Sequence, residues 1–299
     1  MYRPQRNRTI IIISLLTIVA GITVMAGWVF NVPVLQSIFP GFEAMRFNAA
    51  LCFVLFGCAL LISQYQTIKY FSFLFFTLSL AGTLIGLITL FQDLFHFNSG
   101  LDQLFVTDPT IRSYSIPFPG RMAFNASISF LFLGLGFLAL TIRKRSFVII
   151  SQFFFHLVAI LSAIALIGYL YGVSFFRSLL YQTSMATHTA ILFLIISLAA
   201  SLLNPDIGIT RLFTGNQVGN KMAKRLFTLM ILTVIIFGSL RMQTQHFRLF
   251  SSLDIGISLL AVSFLLVSHL QIWNTANWLN NIDAKRSEPE AEVKLMNAE

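Results

Sequence analysis

Eight apolar runs set the terms for this chain, at roughly residues 9–30, 46–64, 70–92, 122–142, 147–172, 186–203, 226–242 and 253–274. Each is near the ~20 residues that carry a helix across a bilayer core. Composition agrees: 57% of residues are hydrophobic and 10% charged, with mean hydropathy +0.81, whereas a soluble domain carries about 25% charge. The expected fold is an all-α integral membrane protein with eight transmembrane helices. The first run follows MYRPQRNR and is too long for the core of a secretory signal, so it counts as a span. The seventh is the weakest, because Arg225 and Arg241 bracket a short core, but arginines at span ends snorkel to the headgroups.

Lysine and arginine in the short loops set the orientation. Fourteen of the twenty lie on one side, in 3–8, Lys69, 143–145, Arg211, 221–225 and the tail. Arg46, Arg112, Arg121, Arg177, Arg241 and Arg248 lie on the other. The first side is expected to be cytoplasmic, with both termini there, in a bacterial inner membrane. The net charge of +9 is then topology and predicts no nucleic-acid partner. The longest outer loop, 93–121, carries Phe95, Phe97, Leu101, Leu104 and Phe105, enough to settle it on the outer mouth.

A short phrase opens every second run: MRFNAALCFVLFGCALLI from Met45, RMAFNASISFLFLGLGFLAL from Arg121, MATHTAILFLIISLAASLL from Met185 and, eroded, SLDIGISLLAVSFLLVSHL from Ser252. It predicts four parallel two-helix repeats, about 9–64, 70–142, 147–203 and 226–274, within one membrane domain, 1–274. The aligned polar residues are Asn48, Asn125, His188 and Asp254. Two residues on come Ala50, Ser127, Ala190 and Gly256; nine residues on come Gly57, Gly134, Ser197 and Ser263. At about 100° per residue those offsets fall on one helix face, two turns apart. In lipid, where apolar surface gives helices no drive to associate, such a small-residue stripe lets backbones approach closely, so it reads as a packing seam.

The polar position lies on the opposite side, just inside the outer end. Asn and Asp there suit helix capping. The functional alternative is that Asn48, Asn125, His188 and Asp254 converge at one depth as a ligand site, with Arg46 and Arg121 as outer-end cations. Odd-numbered runs end on Trp28, Phe30, Phe91, Phe95, Tyr169 and Tyr171, which form an interfacial belt or, for Trp28 and Tyr169, a ligand platform. Asp93, Asp254 and Glu43 are outer-end acids suited to pair with Arg46 or Arg121.

Other chemistry finds little support. There is no phosphate-binding glycine loop, nucleophile elbow or zinc motif, so no catalytic residue and no metal site is expected. Cys52 and Cys58 share one helix, face different ways and read as small apolar filler. His156 and His269 lie within spans, which keeps a heme or quinone protein as one alternative; no cofactor is predicted. A transporter or channel is the other, though no acid sits at mid-span.

After the last span, 275–299 reads as a cytoplasmic exit helix or linker, with Trp273 and Trp278 at the interface and Pro289 interrupting it. Together with the exit WNTANWLNNIDAKR, the phrases above resemble the N-terminal multi-span sensor region of bacterial signalling receptors, namely sensor histidine kinases of two-component systems and diguanylate cyclases. The likeness runs from Thr9 to about Arg286. It implies a non-enzymatic sensory input module in the lipid bilayer. The implied partners are a second copy of the chain, or a cytoplasmic kinase or cyclase output domain that is not part of these residues. A truncated receptor and a freestanding module are both compatible with it.

Overall fold

The computed structural model describes residues 7–37, 43–65, 70–107, 118–142, 144–172, 184–246 and 262–279. Among them every regular element is helical. The helices are α1 (Arg8–Val29), the short α2 (Pro33–Gln36), α3 (Phe47–Ile62), α4 (Phe71–Phe95), α5 (Phe124–Thr141), α6 (Arg145–Leu170), α7 (Thr187–Ser201), the short α8 (Thr210–Thr214) and α9 (Val218–His246). Residues 262–279 are helical as well and are called α10. Five helices are long and apolar enough to cross a membrane: Arg8–Val29, Phe71–Leu94, Phe124–Thr141, Arg145–Leu170 and Val218–Ser239. Two shorter apolar helices, Phe47–Ile62 and Thr187–Ser201, accompany them. The chain is a membrane protein.

It divides into two compact units, Met1–Thr210 and Arg211–Glu299. In the first, six helices form a closed ring of neighbours: α1–α3, α3–α4, α4–α5, α5–α6, α6–α7, and α7 back on α1. Within the ring α3, α5 and α7 also touch one another.

The outer helices α1, α4 and α6 turn one narrow stripe inward. It reads Ile10, Ser14, Thr17, Gly21, Val24 and Trp28 on α1, and Phe75, Ser79, Gly82, Gly86, Thr89 and Asp93 on α4. On α6 the same 4-3-4-3 spacing gives Ser151, Phe155, Val158, Ser162 and Ala165. That is the seven-residue period of left-handed helix packing, written here in small residues. The buried hydroxyls satisfy themselves on their own helix: Ser14, Ser79 and Ser162 each donate to the carbonyl four residues back, at 2.7 Å. They therefore pack as small groups.

Close approach explains the glycines. A Cβ on Gly57 of α3 would stand 2.8 Å from Ile18 Cγ1, and one on Gly21 of α1 would stand 2.8 Å from the Ala50 carbonyl. Gly134 of α5 likewise lies against Thr83 of α4, with Thr83 Cα 3.1 Å from the missing Cβ, and Gly86 faces the Ser127 carbonyl at 3.1 Å. Ala50, Ser127, Ala190 and Ser197 are fully buried. Ser263 lies in α10, and Gly256 lies outside the described residues.

Where the inner helices meet, Phe53, Phe130 and Phe193 form a closed trio. Their ring centroids are 4.9, 4.8 and 4.4 Å apart and all three are 0% exposed. Each stands five residues beyond Asn48, Asn125 or His188. Phe137 extends the cluster to Phe56 at 5.7 Å and to Phe155 at 5.3 Å.

In the second unit α9 and α10 are joined by polar contacts. Gln271 donates to Thr233 Oγ1 and the Leu229 carbonyl. Arg225 reaches Asn274 Oδ1 at 3.4 Å and lies over the Trp278 ring at 5.3 Å. Asn220 donates to the Arg211 carbonyl at 2.8 Å. Only 6% of the apolar stretch of α9 is buried, against 33–56% for the spans of the first unit. α10 continues through position 274, where the sequence alone places the end of the last span.

Candidate functional site at the mouth of the bundle

Helices α3, α5 and α7 begin alike. Each is entered through extended backbone, with Arg46, Ala123 and Ala186 at the N-cap position and φ/ψ of −71/152, −61/146 and −61/147. Neither Arg nor Ala carries a side-chain acceptor, so the first amides of these helices receive no side-chain cap. Asn48, Asn125 and His188 are the second residue of their helices. Their chemical type suits them to capping, but they do not fill the cap position.

The structure uses them as ties. Asn48 Nδ2 donates to the Leu101 carbonyl at 2.9 Å, fixing the segment after α4. The His188 imidazole is hydrogen-bonded to the backbone of Gln36, in α2 after α1. Asn125 is 1% exposed and has a partner too. Two of the three demonstrably hold the connection that follows another outer helix. Asp254 lies outside the described residues.

Aromatic side chains hold the methionine three residues before two of the ties, Asn48 and His188. Trp28 Nε1 donates to the Met45 carbonyl at 2.7 Å, and the Tyr169 hydroxyl donates to the Met185 carbonyl at 2.6 Å. Trp28 and Tyr169 occupy the same step of the seven-residue stripe. On α4 that step is Asp93, which pairs with Arg121, the residue before Met122, at 3.2 Å. Arg46 lies 5.9 Å from the Trp28 ring.

Arg121 is the most heavily engaged side chain at the mouth. It is 3% exposed. Its Nε donates to Asp102 Oδ2 at 2.9 Å, one terminal nitrogen to Asp93 Oδ1 at 3.2 Å, and the other to the Phe97 carbonyl at 2.8 Å. Its guanidinium sits 3.9 Å from the Phe118 ring centroid. Asp102, on the single helical turn Leu101–Gln103, also accepts from Gln92 Nε2 at 3.2 Å. Burial pushes the Asp102 carboxyl above the ordinary carboxylate range, while the Arg121 and Gln92 contacts pull the other way. Phe105 stacks on Phe47 at 5.6 Å, so the segment after α4 folds over the mouth.

Between the three helix starts lies a cavity of about 20 Å³, room for one water molecule or a bare ion. Met45, Met122 and Met185 line it, one from each phrase, with Ala49, Ala126 and Thr189 one turn deeper. Arg46 and Arg121 are the sequence-predicted residues that line it, and Glu43 joins them. Asn48, Asn125, His188, Trp28 and Tyr169 do not line it; Trp28 and Tyr169 hold the Met45 and Met185 carbonyls of its wall. The methionines were not singled out from sequence, though a visible signal exists: each of the three phrases has Met three residues before its Asn or His. The intramembrane His156 has its Nδ1 at 2.8 Å from the Gln152 carbonyl of its own helix.

No protein-family model, curated protein or solved structure matches the chain.

Proposed function

We propose that the chain is a membrane-embedded sensory input module, built as four two-helix repeats crossing a bacterial inner membrane eight times with both termini in the cytoplasm. Three repeats make the six-helix ring, and the fourth makes the α9–α10 unit that leads to the C-terminus. The stimulus is received at the mouth, and the change is passed to α10 and on to a cytoplasmic kinase- or cyclase-type output, in the same polypeptide or a partner, within a homodimer. The module itself carries out no chemistry.

The observation that carries this reading is the mouth itself. Three phrases far apart in sequence place Met45, Met122 and Met185 around one small cavity. A buried arginine held by two acids straps a loop segment across the same end. Such a site is built to be occupied or strained by something small, since about 20 Å³ holds a water molecule or a bare ion and is far below the volume of an organic ligand's pocket.

Fusing residues 1–299 to a histidine-kinase core tests it. Arg121→Gln is expected to change autophosphorylation at least about fivefold, the scale of an ordinary allosteric coupling. Equal rates would remove the reading. Solute flux in liposomes would assign a transporter instead, and a visible absorption band in purified protein would assign a heme or quinone carrier.

A further inference from the structure

Charges within the Arg121 cluster do not balance. Asp93 and Asp102 both reach the one guanidinium of Arg121, at 3.2 and 2.9 Å, and no side chain of the three is more than 10% exposed. His96, at the end of α4, is the other titratable group whose charge acts on Asp93. From α3 the nearest tie is the uncharged Asn48. With both acids ionised, one net negative charge is left in a buried site, which is costly unless something neutralises it.

The two oxygens of Asp102 are used unequally. Oδ2 accepts from both Arg121 and Gln92. Oδ1 is buried and meets no partner among the described residues, and the same holds for Gln92 Oε1. Gln92 is 0% exposed. A primary amide facing an ionised carboxylate makes one good arm, N–H to oxygen, and leaves two acceptors on the other. The Gln92 Nε2 to Asp102 Oδ2 arm is in place at 3.2 Å, and a proton on Oδ1 would supply the donor that the second arm of a cyclic acid–amide pair requires. One proton then removes the surplus charge and satisfies both stranded acceptors.

We propose that Asp102 is a proton-binding site whose acid–amide pair with Gln92 latches residues 97–107 over the mouth, and that loss of the proton loosens that segment. The ligand class of the input site is thereby the hydronium ion. This rests on reading the mouth as the input end. The latch lies where its release is felt: the Phe97 carbonyl is held by Arg121, the Leu101 carbonyl by Asn48, and Phe105 stacks on Phe47. Burial of Asp102 acts in the same direction, favouring the neutral form. The latch is therefore closed below the raised value and opens as pH rises through it.

The test uses the full chain in lipid nanodiscs with Cys52→Ser and Cys58→Ser and a nitroxide on Leu104→Cys, whose parent side chain is 65% exposed. Infrared spectra and label mobility are followed over the range upward from the ordinary aspartate value of about pH 4. A protonated-carboxyl band that titrates in this range and is missing in Asp102→Asn is the expected result. The mobile fraction of the label should rise about twofold or more over the same range, and stay at its low-pH level in Asp102→Asn. A label that does not respond to pH overturns the proposal without any variant, and so does a response that persists in Asp102→Asn. The kinase fusion with Arg121→Gln responds or not independently of this titration, so failure of the latch is distinguishable from failure of the mouth as input.

Discussion

Arg121 concentrates the consequences at the scale of single residues. Removing one partner of a buried ion pair leaves the other charge stranded, at a cost of roughly 3–5 kcal/mol. Arg121→Gln should therefore lower thermal stability by about that amount, measured as a shift in Tm in detergent. Asp102 gives the pH dependence. Its folded-state carboxyl is raised by burial, so the stability it contributes is present at acid pH and lost as pH rises through the raised value. Wild-type Tm should fall as pH rises above the ordinary aspartate value of about 4, and Asp102→Asn should flatten that dependence. Arg46 and Arg121 were legible in the sequence, because a charge among apolar residues stands out and must be partnered. So was the pairing of Asp93 with one of them. Met45, Met122 and Met185 were not, because methionine in an apolar chain looks like filler until three copies meet at one cavity.

Elements carry the packing. Gly134→Val would drive a branched side chain into Thr83 across the α4–α5 contact. Overpacking of this kind costs about 1–3 kcal/mol, and Tm of the purified variant checks it. Truncating Phe193 removes one side of the ring trio and should cost about 3–5 kcal/mol, the range for a buried Phe→Ala. The small-residue stripe on α3, α5 and α7 could be read from offsets alone, since helical periodicity fixes which residues share a face. What stands opposite that face could not. This is why Asn48 and His188 read as caps or ligand groups while their ties to Leu101 and Gln36 stayed hidden. Side chains at the second position of a helix point past its end, toward whichever segment the fold brings there. The stripe on α1, α4 and α6 recurs at identical spacing, yet serines and glycines scattered through apolar helices hide it until burial separates them from their neighbours.

At the scale of the whole molecule, the helical membrane character follows directly from the apolar runs. The division at Thr210 does not, because hydropathy marks apolar runs without showing which of them pack together. The first unit closes on itself: its six helices form a ring around an aromatic centre, with a strapped mouth at one end. The second has its own polar links between α9 and α10. Reporter fusions should place residues 93–121 on the periplasmic side and both termini in the cytoplasm; a cytoplasmic 93–121 loop would reverse the orientation.

On the proposed reading, a change at the mouth is relayed to α10. Single cysteines placed along 262–279 in native membrane vesicles can be scored for reaction with a water-soluble thiol reagent, in the wild type and in Arg121→Gln. The accessibility pattern along α10 should shift when the mouth is altered, although Arg121 belongs to the first unit and α10 to the second. An unchanged pattern along α10, with Arg121→Gln folded and its mouth perturbed, would contradict it.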